Sequence, residues 1–331
     1  MNSEYVVRLD GEPMRFEADV DPEQIGVKAA RLAELAREGI RVPEGFAVTA
    51  KAYREFVHHA GLAPTIAQEI RRFRAGRDLV VAAAKIRSAF CDASLPAAVA
   101  DEILDAYEEL GGDGTEVAVR CSPVASADAV QDDVFLHLTS GADVVAACRR
   151  CFASLYNAVA VGNREAEAID HLKAVMPVTV QRMVRADVGG SGTARGENTF
   201  VRVRASWGLG EPPQADADLY SVHPGARPLI VRHRGAKLTK TVYADPRGTR
   251  PVPTTPAERA ALVLTDEELQ ELARWSVVAD KHFRRPTTLD WAKDGHTGEL
   301  YLLEVRPGVA PAVTIRSRGR AVFQPSASRL R

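Results

Sequence analysis

The spacing of apolar residues changes from helical to strand-like near Pro177, and this change constrains the fold more than any other feature of the chain. Before Pro177, helical spacing predominates, most clearly over about residues 22–39 and 142–170. After it, alternating runs predict strands at 178–184, 199–205, 219–222, 229–232 and 241–243. The sequence therefore predicts an α+β fold with two lobes, a helix-rich first lobe and a strand-rich second lobe.

Composition shifts suggest where these lobes begin and end. We predict an N-terminal lobe over residues 1–175 and a C-terminal lobe over 176–311. The last 20 residues contain five arginines and no acid, interleaved with proline and serine. This composition is typical of a solvated segment, so residues 312–331 are predicted to be a basic tail or linker.

Length and charge exclude several classes of protein. At 331 residues, with 46% hydrophobic and 26% charged residues, the chain can bury the core of two domains or one large unit. A net charge of −1 gives no support for a nucleic-acid or membrane-surface partner. No apolar run approaches the roughly 20 residues needed to span a bilayer, and the N-terminus lacks a signal-peptide core. We therefore expect a cytoplasmic protein.

Two alternating runs near the end of the chain flank a turn-rich Asp-Gly-His-Thr-Gly segment, which predicts a β-hairpin. If the turn centres near Thr297, Asp290 lies opposite Glu304, and Arg306 lies two residues along the same face. Opposed carboxylates destabilise a hairpin by up to about 1 kcal/mol, and a bound cation reverses that effect. Magnesium bound to nucleotide phosphates typically takes one or two carboxylates. The hairpin is thus either half of a metal–triphosphate site or a solvated face with two unrelated acids.

Other segments carry groups suited to binding phosphate. Lys28 stands just inside a helix start after Gly26, where the helix dipole already favours an anion. Arg120 ends a short strand, where its guanidinium could fork onto phosphate oxygens. Without a phosphate role, Lys28 would be an ordinary exposed lysine and Arg120 would form a salt bridge at the end of a strand. The sequence has neither a G-x-x-x-x-G-K-[ST] loop nor a G-x-G-x-x-G after a strand, so it supports neither P-loop nor Rossmann binding.

Taken in chain order, these segments resemble the ATP-binding domain of phosphoenolpyruvate synthase, pyruvate phosphate dikinase and rifampin phosphotransferase. The resemblance covers about residues 20–310 and implies an ATP-grasp-like fold. It is carried by the segments 25–32, 42–49, 117–122, 152–155, 180–184, 208–211, 264–273, 281–286 and 306–307.

The resemblance implies a role for each matching residue. It implies that ATP and Mg²⁺ are the cofactors, and that the metal ligands are Asp290 and Glu304. The implied catalytic groups, which neutralise charge on the triphosphate, are Lys28, Arg120 and Arg306. The implied nucleotide-binding residues are these three cations, the adenine-lining residues Gln181, Met183 and Val184, and Glu211 after the turn at 208–210.

The chain also departs from the family pattern. Asp290 stands where the family usually has Glu, and Glu304 where it has Gln, so the pair gains a negative charge and one arm is shorter by a methylene. The loop at 121–133 lacks the glycine of the family's phosphate-covering loop. The Gly-Val-Met-Phe-Thr stretch of the family is replaced within 189–198 by Gly-Ser-Gly-Thr-Ala.

Three functions fit this pattern. No histidine lies in the family's Gly-Gly-x-x-x-His context, so the phosphoryl acceptor is expected outside this chain. The first function is an ATP-dependent phosphotransferase that passes a phosphoryl or pyrophosphoryl group to a histidine on a swivelling partner domain. The second is a stand-alone kinase or carboxylate-activating ligase for a small molecule. The third is a catalytically silent nucleotide-binding protein.

Overall fold

The computed structural model describes residues 4–9, 21–124, 134–194, 200–210, 216–225, 228–244 and 248–308. Its helices are α1 (Pro22–Ile25), α2 (Val27–Arg37), α3 (Ala50–His59), α4 (Leu62–Arg74), α5 (Leu79–Asp92), α6 (Ala97–Glu109), α7 (Gly141–Ser154), α8 (Ala158–Ala166), α9 (Pro256–Ala260) and α10 (Asp266–Phe283). Its strands are β1 (Val6–Leu9), β2 (Gly45–Val48), β3 (Val117–Cys121), β4 (Val134–Leu138), β5 (Val178–Arg182), β6 (Ala186–Thr193), β7 (Val201–Trp207), β8 (Asp218–His223), β9 (Leu229–His233), β10 (Thr239–Tyr243), β11 (Thr249–Pro253), β12 (Thr287–Asp294) and β13 (Leu300–Pro307). The predicted α+β architecture, with helices concentrated in the first half and strands in the second, is confirmed.

The first lobe is built on a five-stranded antiparallel sheet with the order β1-β2-β5-β3-β4. Helices pack against it through a cluster of buried aromatic rings, in which Phe56 meets Phe90 edge-on at 5.7 Å and Tyr53 meets Phe152 at 5.4 Å. Full burial of a phenylalanine of this kind contributes about 1.5–3 kcal/mol. This cluster accounts for the helix-rich character of the first half.

Strand β5 corrects the predicted lobe boundary. The sequence placed residues 176–184 in the second lobe, but β5 pairs with β2 on one side and β3 on the other, in the middle of the first sheet. The two sheets divide after Arg182 because the buried, alternating apolar residues Val178 and Val180 complete the first core. The basic tail predicted at 312–331 lies outside the described residues.

The second lobe is built on a six-stranded antiparallel sheet with the order β13-β12-β6-β7-β8-β9. Helix α10 covers one face, where Leu272 and Trp275 are buried against residues such as Val203 and Leu289. The predicted capping box starts this helix, since the Thr265 hydroxyl accepts from the Glu268 amide at 3.3 Å and the Glu268 carboxylate accepts from the Thr265 amide at 2.9 Å. Helix α2 of the N-terminal half joins the same core and packs beside β13.

Several elements differ from the sequence prediction. The helix predicted over 22–39 is interrupted at Gly26, and the helix predicted over 142–170 is two helices, because Asn157 caps a new start with its side chain on the Ala160 amide. Strands β4, β6 and β11 were not predicted. Strand β6 is rich in glycine, which disfavours strands locally, but a Cβ at Gly190 would lie 1.9 Å from the Arg204 carbonyl oxygen. Close strand approach therefore requires glycine there.

The helical stretch 141–166 is long and apolar enough to cross a membrane by length and composition, although the sequence analysis found no such run. Of its most apolar window, 61% is buried within the protein, and its residues belong to the core of the first lobe. Burial of this kind is typical of a core helix. The cytoplasmic location stays a prediction.

A buried polar network at the base of the first lobe gives the stability a dependence on pH. The Arg164 Nε donates to His171 Nδ1 at 3.1 Å, so the ring proton is assigned to Nε2, which donates to Glu165 Oε1 at 2.7 Å. His171 is only 4% exposed. Burial, helped by the nearby Arg164 charge and opposed by Glu165, lowers the pKa of His171 below its ordinary value.

We expect His171 to make the protein less stable as the pH falls. Because the folded state has the lower pKa, the unfolded chain binds the extra proton first. The contribution of neutral His171 to the free energy of unfolding is therefore fully present above about pH 6.5, the pKa of histidine in the unfolded chain. It is lost as the pH falls through the pKa of the folded state. Urea unfolding at a series of pH values measures this effect. The pH dependence below about pH 6.5 should weaken in His171→Gln and persist in His59→Gln, a surface control on α3. Equal curves for wild type and His171→Gln would contradict the assignment.

Candidate nucleotide-binding site

A cavity of about 250 Å³ lies between the two sheets. The first lobe contributes residues of β3, β4 and β5 and the segment after β5, and the second lobe contributes residues of β6, β12 and β13. The predicted site residues on its wall are Arg120, Gln181, Met183, Val184, Asp290 and Glu304. The structure thus brings together residues that are widely separated in sequence.

The predicted hairpin geometry is confirmed. Strands β12 and β13 pair with Asp290 directly opposite Glu304, and a bulge follows between Asp290 and Trp291. The turn is held by the Asp294 carboxylate, which accepts from the amides of His296 and Thr297 at 2.8 and 2.9 Å. Two carboxylates are therefore fixed side by side at the mouth of the cavity.

Arg306 and Lys28 each pair with one of these acids. The Arg306 Nη2 donates to Asp290 Oδ1 at 2.6 Å, and the Lys28 Nζ lies 3.0 Å from Glu304 Oε1. All four side chains are partly exposed, from 19% for Lys28 to 42% for Arg306. The cations predicted to hold phosphates and the acids predicted to hold metal thus neutralise one another in this structure.

Lys28 is positioned by a close contact at the start of α2. Gly26 has φ +84°, and a Cβ there would lie 2.0 Å from the Ser122 carbonyl oxygen, so only glycine fits. The Lys28 amide donates to the Ser122 hydroxyl at 3.2 Å. Ser122 was not among the predicted site residues, because its contact with the start of α2 joins segments about 94 residues apart in sequence.

Arg120 reaches from the end of β3 to the opposite lobe. Its Nη1 donates to the Leu303 carbonyl oxygen at 3.2 Å, next to Glu304. Its Nε is buried and has no hydrogen-bond partner among the described residues. A buried guanidinium nitrogen without a partner costs free energy, and an anion in the cavity could satisfy it.

The surroundings of Asp290 change how readily its carboxyl ionises. Burial raises the pKa of the Asp290 carboxyl above its ordinary value; the Arg306 guanidinium opposes this rise and the Glu304 charge adds to it. The same contact with Asp290 raises the pKa of Arg306. A divalent cation between the acids would favour the ionised form of Asp290, because its positive charge would offset the cost of burying a charged carboxylate.

The segment predicted to line adenine forms hydrogen bonds within the protein. The Gln181 side-chain amide donates to the Pro43 carbonyl oxygen at 3.3 Å, and the Met183 amide donates to the Glu116 carbonyl oxygen at 2.8 Å. The Val184 carbonyl oxygen accepts from the Tyr243 hydroxyl at 2.9 Å. These bonds fix the segment on the cavity wall, and its contact with adenine stays a prediction.

The remaining predicted positions are only partly described. Leu209 and Gly210 of the predicted turn line the cavity, but Glu211 lies outside the described residues. So do residues 125–133 and 195–198 of the two altered loops. Among the residues that the structure does describe, no group of three or more His, Cys, Asp or Glu side chains could hold a metal. Two carboxylates are nevertheless enough for magnesium when nucleotide phosphates supply further oxygens.

A larger cavity of about 450 Å³ lies beyond Ala186 and Leu209, which line both cavities. It is bounded by Glu116, His137 and Tyr243 and contains none of the described residues that the sequence predicted for the site. The smaller cavity, which is lined by Arg120, Asp290 and Glu304, is therefore the candidate site; Lys28 and Arg306 are not in its lining and reach it through their contacts with the two acids.

Two lobes with a cleft between antiparallel sheets form an ATP-grasp-like fold. Comparison with known proteins gives the family. The chain matches the family described as "Pyruvate phosphate dikinase, AMP/ATP-binding domain" over residues 22–316, and it belongs to that family. The resemblance inferred from the sequence is confirmed, and with it a nucleotide-binding fold of ATP-dependent phosphotransfer enzymes.

The similar proteins include phosphoenolpyruvate synthases from several bacteria. The synthase of Pseudomonas aeruginosa is 35% identical, and the match covers 96% of this chain and 43% of the synthase. The synthase of Deinococcus radiodurans is also 35% identical, over 87% of this chain and 40% of its own length. The chain thus spans about two fifths of the length of these curated relatives.

One solved structure, the D-alanine-D-alanine ligase from Coxiella burnetii, is similar to this chain with a TM-score of 0.27 and 8% sequence identity. The match covers 67% of this chain and 48% of the ligase. A similarity this low bears on neither fold nor function.

Proposed function

We propose that this chain binds Mg-ATP in the cavity between its lobes and transfers a phosphoryl or pyrophosphoryl group to an acceptor outside the chain. The observation that carries the proposal is the convergence of Lys28, Arg120 and Arg306 on the Asp290–Glu304 pair. Phosphoryl transfer through a loose transition state needs positioning and charge neutralisation more than covalent chemistry. Fixed cations at the mouth of a partly buried cavity suit that requirement.

Each group has a distinct role in this proposal. Lys28 and Arg306 exchange their carboxylate partners for phosphate oxygens when the nucleotide enters, and Arg120 donates from the opposite lobe. Asp290 and Glu304 would hold Mg²⁺, which supplies positive charge to the phosphates when it is bound. Gln181, Met183 and Val184 form the wall against adenine, and Glu211 follows the turn that borders the cavity.

Calorimetric titration with ATP tests the metal assignment, because the difference in ATP affinity between wild type and the variant should reverse when Mg²⁺ is removed. With Mg²⁺ present, we expect wild type to bind ATP and Asp290→Ala/Glu304→Ala to bind at least about tenfold more weakly, since two charged ligands are lost. Without Mg²⁺, the variant should bind at least as tightly as wild type, because two negative charges beside the triphosphate are gone. Glu299→Ala, an acid near the turn of the same hairpin, is the matched control and should behave as wild type.

Two results would count against the proposal. If wild type binds no nucleotide, the cavity is not an ATP site. If the double variant shows the same magnesium dependence as wild type, then Asp290 and Glu304 do not hold the metal.

A further inference from the structure

The larger cavity, of about 450 Å³, is lined by polar groups that the proposed nucleotide site does not use. It shares Ala186 and Leu209 with the candidate nucleotide site, so the two spaces are direct neighbours. Small and apolar side chains such as Val242 also form part of its wall. A space of this size suits a small organic molecule.

His137 is held in the wall of the larger cavity by a β-bulge. Leu136 and His137 of β4 stand opposite Ala118 of β3, and His137 has φ +59°, a left-handed conformation that costs free energy in a residue other than glycine. Its Nε2 lies 3.6 Å from Glu116 Oε1, so the ring proton is assigned to Nε2, and Nδ1 is an acceptor. This Nδ1 is buried and has no hydrogen-bond partner among the described residues. Strained residues of this kind concentrate at ligand sites.

Asp187 supplies a second acceptor to the same cavity. Its carboxyl carbon lies 2.3 Å from the position that a Cβ on Gly295 would take, so the carboxylate rests against this glycine of the hairpin turn. The carboxylate has no ion pair or hydrogen bond with the rest of the described chain. Asp187 and His137 Nδ1 are thus two acceptors that line one cavity and lack donors.

Arg185 and Lys240, the basic side chains that line this cavity beside its histidines, are already paired with acids. The Arg185 Nε and Nη2 donate to the two Glu116 carboxylate oxygens at 3.1 and 2.6 Å. The Lys240 Nζ lies 2.5 Å from Glu258 Oε1. These pairs leave the negative charge of Asp187 unbalanced.

Tyr243 adds an aromatic surface to these acidic surroundings. Its ring centroid is 5.2 Å from that of His137. Burial raises the pKa of the Tyr243 phenol, and the charges of Glu116 and Asp294 raise it further, while Arg185 opposes them. Acids therefore outweigh cations around this ring. Such surroundings stabilise an ammonium group, which is attracted both by carboxylates and by the faces of aromatic rings.

We propose that the larger cavity binds a small organic amine, and that the bound amine strengthens ATP binding in the neighbouring site. Its ammonium group would donate to the Asp187 carboxylate and to His137 Nδ1. Its apolar body would lie against Leu209, Val242 and the Tyr243 ring. The effect on ATP rests on the proposed function, whereas the amine site itself does not.

Three contacts connect the larger cavity to the nucleotide cavity. The Tyr243 hydroxyl donates to the Val184 carbonyl oxygen at 2.9 Å. The Glu116 carbonyl oxygen accepts from the Met183 amide at 2.8 Å. In the bulge of β4, Leu136 lines the nucleotide cavity while the histidine after it lines the larger one.

An amine in the larger cavity would act on the wall predicted to hold adenine. A ligand packed on Tyr243 restrains the hydroxyl that holds Val184, so ATP has less of this wall to order when it binds. Coupling between two sites is reciprocal, so ATP should tighten amine binding by the same factor. We expect that factor to be about five or more.

Equilibrium binding of benzylamine to the full chain, with benzyl alcohol and benzoate as probes of similar shape, tests the ligand class. We expect benzylamine to bind more tightly than both, because it alone carries an ammonium group. Asp187→Asn should weaken benzylamine by about fivefold or more, and should leave the affinity for a non-hydrolysable ATP analogue unchanged when no amine is present. His137→Asn, in which the new residue tolerates the left-handed conformation, should also weaken benzylamine. The matched control is Asp105→Asn, an exposed acid on α6.

Titration of the ATP analogue and Mg²⁺, with and without saturating benzylamine, tests the coupling. Tyr243→Phe keeps the ring against the amine but removes the hydrogen bond to Val184. The ratio of analogue affinities with and without benzylamine should therefore fall toward one in this variant. If benzylamine weakens the analogue in wild type, it competes at Asp290 and Glu304, and the inference is overturned.

The remaining outcomes separate this inference from the proposed function. Equal benzylamine affinity in wild type and Asp187→Asn, or equal affinity for benzyl alcohol, would overturn the amine site. If benzylamine binds through Asp187 and the ATP analogue does not bind, the proposed function fails and the amine site stands. If the analogue binds and no amine does, only this inference fails. A thermal melt confirms that each variant is folded.

Discussion

Replacing Asp218 with asparagine should lower the free energy of unfolding by about 3–5 kcal/mol, since it leaves a buried lysine charge without its partner. Asp218 and Lys237 are both 0% exposed and form an ion pair. The carboxylate also accepts from the amides of Gly235 and Val263 at 2.8 and 3.1 Å and from the Tyr220 hydroxyl at 3.2 Å. Its loss therefore affects the start of β8, the loop before β10 and the segment before α10 together.

A double-mutant cycle in urea measures this effect. Lys237→Met alone should lower the free energy of unfolding by less than Asp218→Asn does, because the Asp218 carboxylate keeps its three other hydrogen bonds. Asp218→Asn/Lys237→Met should be more stable than Asp218→Asn, because the unpaired buried ammonium is gone. A loss below about 1 kcal/mol for Asp218→Asn, the size expected of an exposed pair, would show that water reaches the lysine in solution.

Replacing Lys28 with methionine should weaken Mg-ATP binding by about tenfold to a hundredfold, the range expected for a charge-assisted hydrogen bond. Two effects act in the same direction. The phosphates lose a cation, and Glu304 loses the partner that lies 3.0 Å away, so its charge repels the triphosphate. Methionine has similar length and helix propensity, so stability should change little.

The rescue variant is Lys28→Met/Glu304→Gln, measured by the same calorimetric titration. Removing the second charge should restore part of the affinity, since Gln keeps an oxygen ligand and is the residue usual in the family. Lys85→Met, on α5 of the first lobe, is the matched control. Equal ATP affinity in wild type and Lys28→Met would exclude Lys28 from the triphosphate site.

The sequence predicted the hairpin well because every determinant is local. The alternation of residues and the Asp294 turn set the register next to the turn, where Trp291 pairs with Leu302. The bulge between Trp291 and Asp290 then shifts the pairing by one residue and puts Asp290 opposite Glu304. The start of α10 was equally predictable, since Thr265 and Glu268 cap it within one turn. Metal binding by the two acids stays a prediction, as do the roles of the cations.

Other features could not be predicted because they depend on distant contacts. Strand β5 would show the same alternation of buried and exposed residues in either sheet. Only its pairing with β2 and β3 shows that it belongs to the first sheet. Strand β6 has poor local propensity and exists because Gly190 lets the backbone of Arg204 approach closely.

The interleaving of the lobes has a consequence for folding during synthesis. The first sheet cannot close until β5 has left the ribosome, because β5 separates β2 from β3 in the sheet order. Leu32 and Leu35 of α2 become buried later than β5 pairs, since the core that buries them includes Leu302 and Val305 of β13. Contacts of such long range slow folding and expose apolar surface meanwhile. In a nascent chain of this protein, the side of α2 that carries Leu32 and Leu35 therefore stays uncovered until translation of the described region is almost complete, and a chaperone could bind this apolar surface in that interval.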